Sequence, residues 1–370
     1  MEQFDALVIG GGLVGSAVAF GLTESGMRVL ILDEGDVTLR ASRGNFGLVW
    51  TQSKGVGAPH YHRWARKSAR QWPTLAARLS ELTGIDVGLE QPGGLHFCLS
   101  EGELSDRAEM MARLKREAGD FGFDYRMLTH QEAAEMVPGL GKQVVGASWT
   151  PYDGHVGPLP TLRAFHQAIQ QGGGIYRPGS SVQDIDAAPN DFRIRLAGGA
   201  LVQAPRLILA AGLGNIPLLP KLGLNCHIGP QRGQILVTER VSRLLSMPTL
   251  NVRQTAEGSI MIGDSKEEAV FDSLTQKPDV MRTMAERAVA CFPWLAELQI
   301  VRAWAAVRIL PVDGLPIYDQ SAQYPGAFAF SCHSGVGLAA AHALLLAPMV
   351  RNGELSGECS QLSSRRFDHV

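Results

Sequence analysis

Three glycines spaced G-x-G-x-x-G (Gly10, Gly12 and Gly15) follow the apolar run Phe4-Asp5-Ala6-Leu7-Val8-Ile9 and open a helical segment. Residues of this type at this spacing form a dinucleotide cradle. Gly10 permits the tight turn off the strand, Gly12 lets the backbone approach a pyrophosphate, and Gly15 lets the helix lie close on the sheet. The N–H groups at the start of that helix, from Leu13 and Val14 onward, then face phosphate. About 20 positions further on, a second apolar strand ends in Asp33-Glu34, where an acidic side chain accepts hydrogen bonds from a ribose. Asp33 is the expected acceptor, and Glu34 is the alternative by one register step. A βαβ unit with no ligand would carry the same glycines and is the competing reading.

These residues need elements to position them. The helix Leu13 to Ser25 is built from small residues (Ser16, Ala17, Ala19, Gly21), Gly26 closes it, and the strand Arg28 to Leu32 follows. The Gly/Ser-rich stretch Gly35 to Pro59 is either a functional loop folded back over the cradle or a surface connection. His60 to Leu82 has the apolar stripe of an amphipathic helix (Trp64, Trp72, Leu75, Leu79, Leu82) opposite a basic face (Arg63, Arg66, Lys67, Arg70) expected to be solvated. Beyond Gly84 come a strand (Gly94 to Leu99), a charged helix (Glu101 to Ala118) and a short helix (His130 to Met136). A helix from Leu159 to Gln171, a meander over Val182 to Ala204, and the strand Arg206 to Ala210 ending in Ala211-Gly212 follow, the last a second place for backbone to meet a dinucleotide. Antiparallel strands are expected over Gly229 to Gly263, a helix over Lys277 to Cys291, and strands at Val307 to Gly314 and Ala327 to Phe330. The loop Ser331-Cys332-His333-Ser334-Gly335-Val336-Gly337 then leads to a helix beginning at Leu338. The fold class is therefore α/β, a Rossmann-like nucleotide domain with an α+β substrate domain on an antiparallel sheet. The nucleotide domain would be assembled from residues 1–84, 151–222 and 305–370, and the substrate domain from 85–150 and 223–304.

Composition narrows the partners. With 370 residues, 45% of them hydrophobic, the chain can bury a large core, and its net charge of -2 gives no bulk attraction to nucleic acid or anionic membrane. Small molecules or proteins are the expected partners. The five cysteines are far apart and never spaced C-x-x-C, so no disulfide framework, iron–sulfur cluster or other metal site is expected, and a reducing cytoplasm fits. The cradle starts within ten residues of Met1 with no basic stretch before it, so no secretion signal is expected. The longest apolar run, Leu338 to Val350, is shorter than the ~20 residues of a spanning helix.

Seven separated motifs, in order, resemble the FAD-dependent amine oxidoreductases that include glycine oxidase, sarcosine oxidase and D-amino acid oxidase. They are the cradle with Asp33, Asp153-Gly154-His155-Val156-Gly157-Pro158, Ala210-Ala211-Gly212, and Pro230-Gln231-Arg232-Gly233-Gln234. Gly258 to Gly263 with Asp264-Ser265-Lys266-Glu267, Arg308 to Pro316, and Arg366-Phe367 complete the set. Ala41-Ser42-Arg43-Gly44-Asn45-Phe46-Gly47-Leu48-Val49-Trp50 is similar, within that family, to β subunits of heteromeric D-hydroxyproline dehydrogenases, opine oxidases and hydrogen cyanide synthase, and the loop from Arg43 to Gly57, with Trp50, Gln52 and Lys54, is expected close to the flavin edge. The resemblance implies FAD with its pyrophosphate at Gly10 to Gly15, its ribose at Asp33 and its adenine at Val182. The flavin would lie between Ser42-Arg43-Gly44-Asn45-Phe46-Gly47 and Ser334-Gly335-Val336-Gly337-Leu338. Arg308 matches the arginine that binds a substrate carboxylate, while His333 and Ser334 become polar neighbours of substrate or flavin, with Arg253 and Trp304 as weaker candidates. No cysteine stands near Arg308, where monomeric sarcosine oxidases attach the cofactor, so the FAD is expected to be non-covalent. Gly157-Pro158 replaces the histidine that carries covalent FMN in multi-subunit sarcosine oxidases. An FMN held at a subunit interface, its phosphate meeting Lys54, stays open. The implied activity is oxidation of the Cα–N bond of a secondary-amine or D-amino α-carboxylate by a β subunit that passes electrons to subunits carrying an iron–sulfur centre. A self-sufficient oxidase using oxygen is the competing enzyme, and an inactive flavin-bearing structural subunit is the non-enzymatic alternative.

Overall fold

The computed structural model describes residues 1–35, 40–263, 265–270 and 274–368. Its central element is a six-stranded sheet in the order Ile317–Gln320, Ala327–Ser331, Leu207–Leu209, Ala6–Ile9, Val29–Leu32, Ile175–Arg177. All neighbours run parallel except the first pair. Four of the strands are buried along their whole length, as a sheet covered on both faces requires. The period of two divides them cleanly. Val8, Ile31, Ile208 and Phe328 join a core with the helices, whereas Leu7, Leu30, Leu207 and Ala329 pack on the other side against Phe192, Ile194 and Val202. Those last three residues belong to a four-stranded sheet containing the expected meander (Val182–Ala188, Asp191–Leu196, Leu201–Ala204).

The helical face consists of Leu13–Glu24, Pro59–Thr83, Pro158–Gln171 and the C-terminal helical segments. Those segments run on from Ala339–Ala341 through a wider π-helical stretch, His342–Leu346, to Ala347–Asn352. Pro348 has no N–H to donate, and widening of the turn just ahead of it accommodates that loss.

A second core, around Leu95, Phe97, Leu236, Ile260 and Phe292, lies between two antiparallel sheets and their helices. The long strands Ile228–Arg240 and Ile300–Pro311 pair with Gln231 opposite Arg308 and Gly233 opposite Ala306. The strand Ile300–Pro311 begins seven residues before the sequence-based estimate and carries the expected 304/305 boundary inside it. Ile317–Gln320 and Ile175–Arg177 were not anticipated; both lie at the edges of the six-stranded sheet. Asp264 falls outside the described residues.

One expectation needs correction. The basic face of Pro59–Thr83 is not uniformly solvated, because Arg66 is buried with its guanidinium 3.9 Å from the Tyr152 ring centroid and 4.9 Å from that of Phe121. Helical period identifies a face, but a separate segment can fold over it. Among the described residues, no helix is long and apolar enough to cross a membrane, and no His/Cys/Asp/Glu group is arranged to hold a metal.

Candidate active site

At the cradle, Gly10 adopts φ +106°, and a Cβ there would overlap the Ala210 carbonyl of the adjacent strand. A Cβ on Gly15 would likewise overlap the Gly10 carbonyl, so this glycine brings helix and strand together from behind the ligand-facing surface. Asp33 ties the turn to the second strand. Its Oδ2 accepts from Gly11 N–H at 2.6 Å and its Oδ1 from Gly35 N–H at 3.0 Å. Glu34 instead pairs with Arg40 near the surface. The loop after the second strand does fold back over the cradle: the Ser42 hydroxyl accepts from Leu13 N–H at 2.9 Å, and a Cβ on Gly12 would stand 2.8 Å from that hydroxyl. Above these glycines lies a cavity of about 580 Å³, within the ~300–1,000 Å³ range of small-molecule sites. Val182, Ala211 and Gly212 line its far side, and Glu34 and Arg43 also border it.

A second cavity of about 180 Å³ continues from the first, the two sharing Val14, Ser42, Ile309 and Cys332 as walls. Leu13, Gly44, Asn45 and Phe46 form one side, and the segment Ser334-Gly335-Val336-Gly337-Leu338 forms another. Arg308 and His333 both line it. Gly47 is set back from both cavities; at φ +95° it allows close approach to the Val156 carbonyl.

Arg308 lies across the bare backbone of Gly233 on the paired strand, and its Nη1 is 3.3 Å from Gln231 Oε1. Burial holds the His333 imidazole down to about 3, with Lys54, Arg308 and Lys266 adding repulsion, so it is neutral at physiological pH. The Cys332 thiol is pushed up to about 12 by burial and is therefore a poor nucleophile. Arg253 and Trp304 do not line the cavity but brace it. The buried Arg253 donates to the Phe46 carbonyl and lies 3.2 Å from His155 Nδ1, and Trp304 donates to the Gly44 carbonyl at 3.2 Å.

Three further side chains line the cavity: Trp50 and Lys54 stand in the loop that the family resemblance brings to the flavin edge, whereas Tyr61 carries no warning in the sequence. Tyr61 reaches from the long helix to within 3.1 Å of the Ser334 hydroxyl; Trp50 and Lys54 come from the turn before that helix. A buried polar cluster sets this turn. Asp153 accepts from Thr51 N–H at 2.6 Å, Thr51 Oγ1 at 2.7 Å and Gln52 Nε2 at 2.8 Å, and Arg107 donates to Gln52 and Ser148. Burial raises the Asp153 carboxyl to about 6 despite these donors. His62 Nδ1 donates to the Lys54 carbonyl at 3.0 Å and completes the turn. In the sequence the Asp153 run is a point of family resemblance and nothing more, because its partners on the turn lie about 100 residues away.

Cradle, acidic strand tip and adjoining cavities define the class as a dinucleotide-binding α/β enzyme with a separate antiparallel sheet. The family model for FAD dependent oxidoreductases matches residues 5–349, and the chain belongs to that family. It is 45% identical to the opine oxidase B subunit of Rhizobium meliloti over 368 residues, covering 100% of this chain and 99% of that one. Identity to the opine oxidase B subunit of Agrobacterium tumefaciens (strain Ach5) is 44% over 367 residues, covering 99% and 98%. The crystal structure of glycine oxidase from Geobacillus kaustophilus superimposes with a TM-score of 0.89 at 25% identity, covering 98% of each chain. The expected family resemblance and fold class therefore hold. The residues fit FAD: the cradle has room because Gly12 lacks a Cβ, and both cavities adjoin it.

Proposed function

We propose that this FAD-dependent oxidoreductase oxidises the Cα–N bond of an opine-like secondary-amine α-carboxylate, as the catalytic β subunit of a heteromeric complex. The carrying observation is the placement of Arg308 in a cavity continuous with the one above the cradle. A guanidinium offers a carboxylate two parallel donors, which fixes the neighbouring Cα in direction as well as position. FAD, when bound, supplies the acceptor for the hydride that leaves Cα as the nitrogen lone pair closes the C=N bond. Water then hydrolyses the imine to an oxo acid and an amine. The cationic surroundings of the cavity favour the neutral amine over the ammonium, and only the neutral amine has the lone pair the reaction needs. His333, neutral and weakly basic, serves as a polar contact rather than as the base that deprotonates an ammonium. Asp33 would meet the ribose, Val182 the adenine, and the loops around Asn45 and Gly335 the flavin.

The name of the two relatives near 45% identity supports both the opine-like substrate and the partner subunit. A D-amino acid or D-hydroxyproline belongs to the same chemical class and is the nearest competing substrate. An iron–sulfur partner, an interfacial FMN and a cytoplasmic location belong to the same proposal. The test is a panel of opines, D-hydroxyproline, glycine and sarcosine mixed anaerobically with the purified holoenzyme, with flavin bleaching as the readout. Bleaching by glycine or sarcosine in preference to every opine would refute the proposal.

A further inference from the structure

The long helix Pro59–Thr83 grips the wall segment 334–338 at both ends. Tyr61 holds the Ser334 hydroxyl, and two and three turns further along Ser68 and Trp72 both reach the Gly337 carbonyl. The Ser68 hydroxyl donates to that oxygen at 2.7 Å and the Trp72 indole N–H at 3.3 Å; both side chains are fully buried and neither lines the cavity. Ser68 also interrupts a regular pattern. In the backbone ladder that starts the C-terminal helical segments, Leu338 N–H donates to the Ser334 carbonyl and His342 N–H to the Leu338 carbonyl, both at 2.9 Å. Between them, Ala341 N–H would meet the Gly337 carbonyl in an unbroken helix, but it donates to Ser68 Oγ at 3.1 Å. A hydroxyl from a neighbouring helix is thus inserted into the ladder, which splays that turn. Ala341 alone would satisfy the Gly337 carbonyl, so the two buried side chains are not needed to complete the helix. What they fix is the direction of this peptide. The N–H groups of Gly335, Val336 and Gly337, residues that line the smaller cavity, meet no acceptor among the described residues.

We infer that Ser68 and Trp72 are positioning residues: by holding the Gly337 carbonyl away from the cavity they keep the backbone N–H groups of residues 335–337 directed at the flavin of bound FAD, and so set its reduction potential. This rests on the reading that places the flavin against Ser334 to Leu338. Reduction adds negative charge to the flavin ring, and donors already oriented toward it stabilise that charge with little reorganisation. Gly335 and Gly337 leave this stretch of backbone free to turn, so its direction is imposed by the helix behind it. Removing the Ser68 hydroxyl leaves no buried group stranded, because the Gly337 carbonyl and Ala341 N–H can then pair with each other. Ser68→Ala therefore recloses the turn and leaves folding intact.

The test uses FAD-loaded enzyme and two readouts that need no substrate. One is the midpoint potential of the two-electron flavin couple; the other is the Kd of sulfite, which adds to the oxidised flavin and leaves negative charge on the ring. Ser68→Ala should disfavour the reduced flavin by about tenfold, a fall of about 30 mV, and weaken sulfite binding by a similar factor. Trp72→Phe should shift both in the same direction by less, and Ser68→Thr, which keeps the hydroxyl, should stay near wild type. FAD affinity should change by less than about threefold in all of them. Shifts below about twofold in both equilibria, in Ser68→Ala and in the double variant alike, would overturn the inference. Weakened FAD binding with an unshifted potential would do the same, since that is the mark of a structural role alone. Gly335→Asp separates the two claims. A Cβ at Gly335 makes only ordinary contacts, the nearest at 3.6 Å from Val14, and a carboxylate placed against the flavin must lower its potential. If Gly335→Asp leaves the potential unchanged, the flavin placement falls and the inference with it; if it lowers the potential and Ser68→Ala does not, only the inference fails.

Discussion

Arg308 and Gly233 act as one device, because the guanidinium lies where a Cβ of Gly233 would be. Arg308→Ala should cost about 2 to 5 kcal/mol in kcat/KM, read from the rate of anaerobic flavin reduction, with the flavin spectrum intact. Gly233→Ala should act through the same arginine without touching the substrate. Its methyl group would push aside the mobile end of a side chain rather than fixed backbone, so folding should survive while KM rises by up to about a hundredfold, the penalty of a misplacement near 1 Å. Normal KM in a folded Gly233→Ala enzyme would show that Arg308 does not hold the substrate from this position. At the cradle, Asp33→Ala should weaken FAD binding measured by fluorescence titration, and Glu34→Ala should not, since only Asp33 bonds the cradle backbone. The glycines and Asp33 were legible because a tight turn and a strand tip impose fixed spacing. Trp50 and Lys54 were legible only through the resemblance of their loop, and Tyr61 was not legible, because its place in the site follows from how the long helix folds beside the C-terminal loop.

The turn from Trp50 to Lys54 is the element most dependent on distant residues. Asp153 is fully buried and its carboxyl is raised to about 6, above the value of 3.8 expected in the unfolded chain. A raised folded-state pKa means that the folded protein holds the proton more tightly. The stability this contributes is complete below pH ~4 and is lost as pH rises through 6, a difference on the order of 2–3 kcal/mol. Asp153→Asn carries no charge to bury, so the stability of wild type minus that of the variant should fall as pH rises from 4 to 7, read by urea unfolding at each pH. A difference that grows with pH would mean that the ionised carboxylate is favoured by its three donors. The same element shows how far sequence pattern reaches. Helix boundaries at Leu13–Glu24, Glu101–Ala118 and His130–Met136 were legible from period and caps, since those signals are local. The strand Ile317–Gln320 was missed because a four-residue edge strand has no period of its own, and Arg66 was misread because its cover comes from Phe121 and Tyr152.

The whole molecule places its reacting cavity against a wall built from Gly44, Asn45 and Phe46, the loop whose sequence resembles β subunits of heteromeric enzymes. All five cysteines are free, four of them are buried, and no His/Cys/Asp/Glu group among the described residues is arranged to hold a metal, so the described residues offer no thiolate set for a cluster that could take electrons onward. On the proposed reading the acceptor is held by another polypeptide, in keeping with relatives that are named as one subunit of an opine oxidase. The isolated chain should therefore be reduced by substrate within the time of a turnover but reoxidised slowly by air. Substrate-dependent oxygen uptake should lag behind the anaerobic reduction rate by about tenfold or more, and co-expression with its native partner should restore fast turnover with a dye or quinone. The two rates are measured on one preparation, by stopped-flow absorbance and by an oxygen electrode. Rapid peroxide formation by the isolated chain, equal to its rate of flavin reduction, would make it a self-sufficient oxidase and leave the partner without a catalytic role.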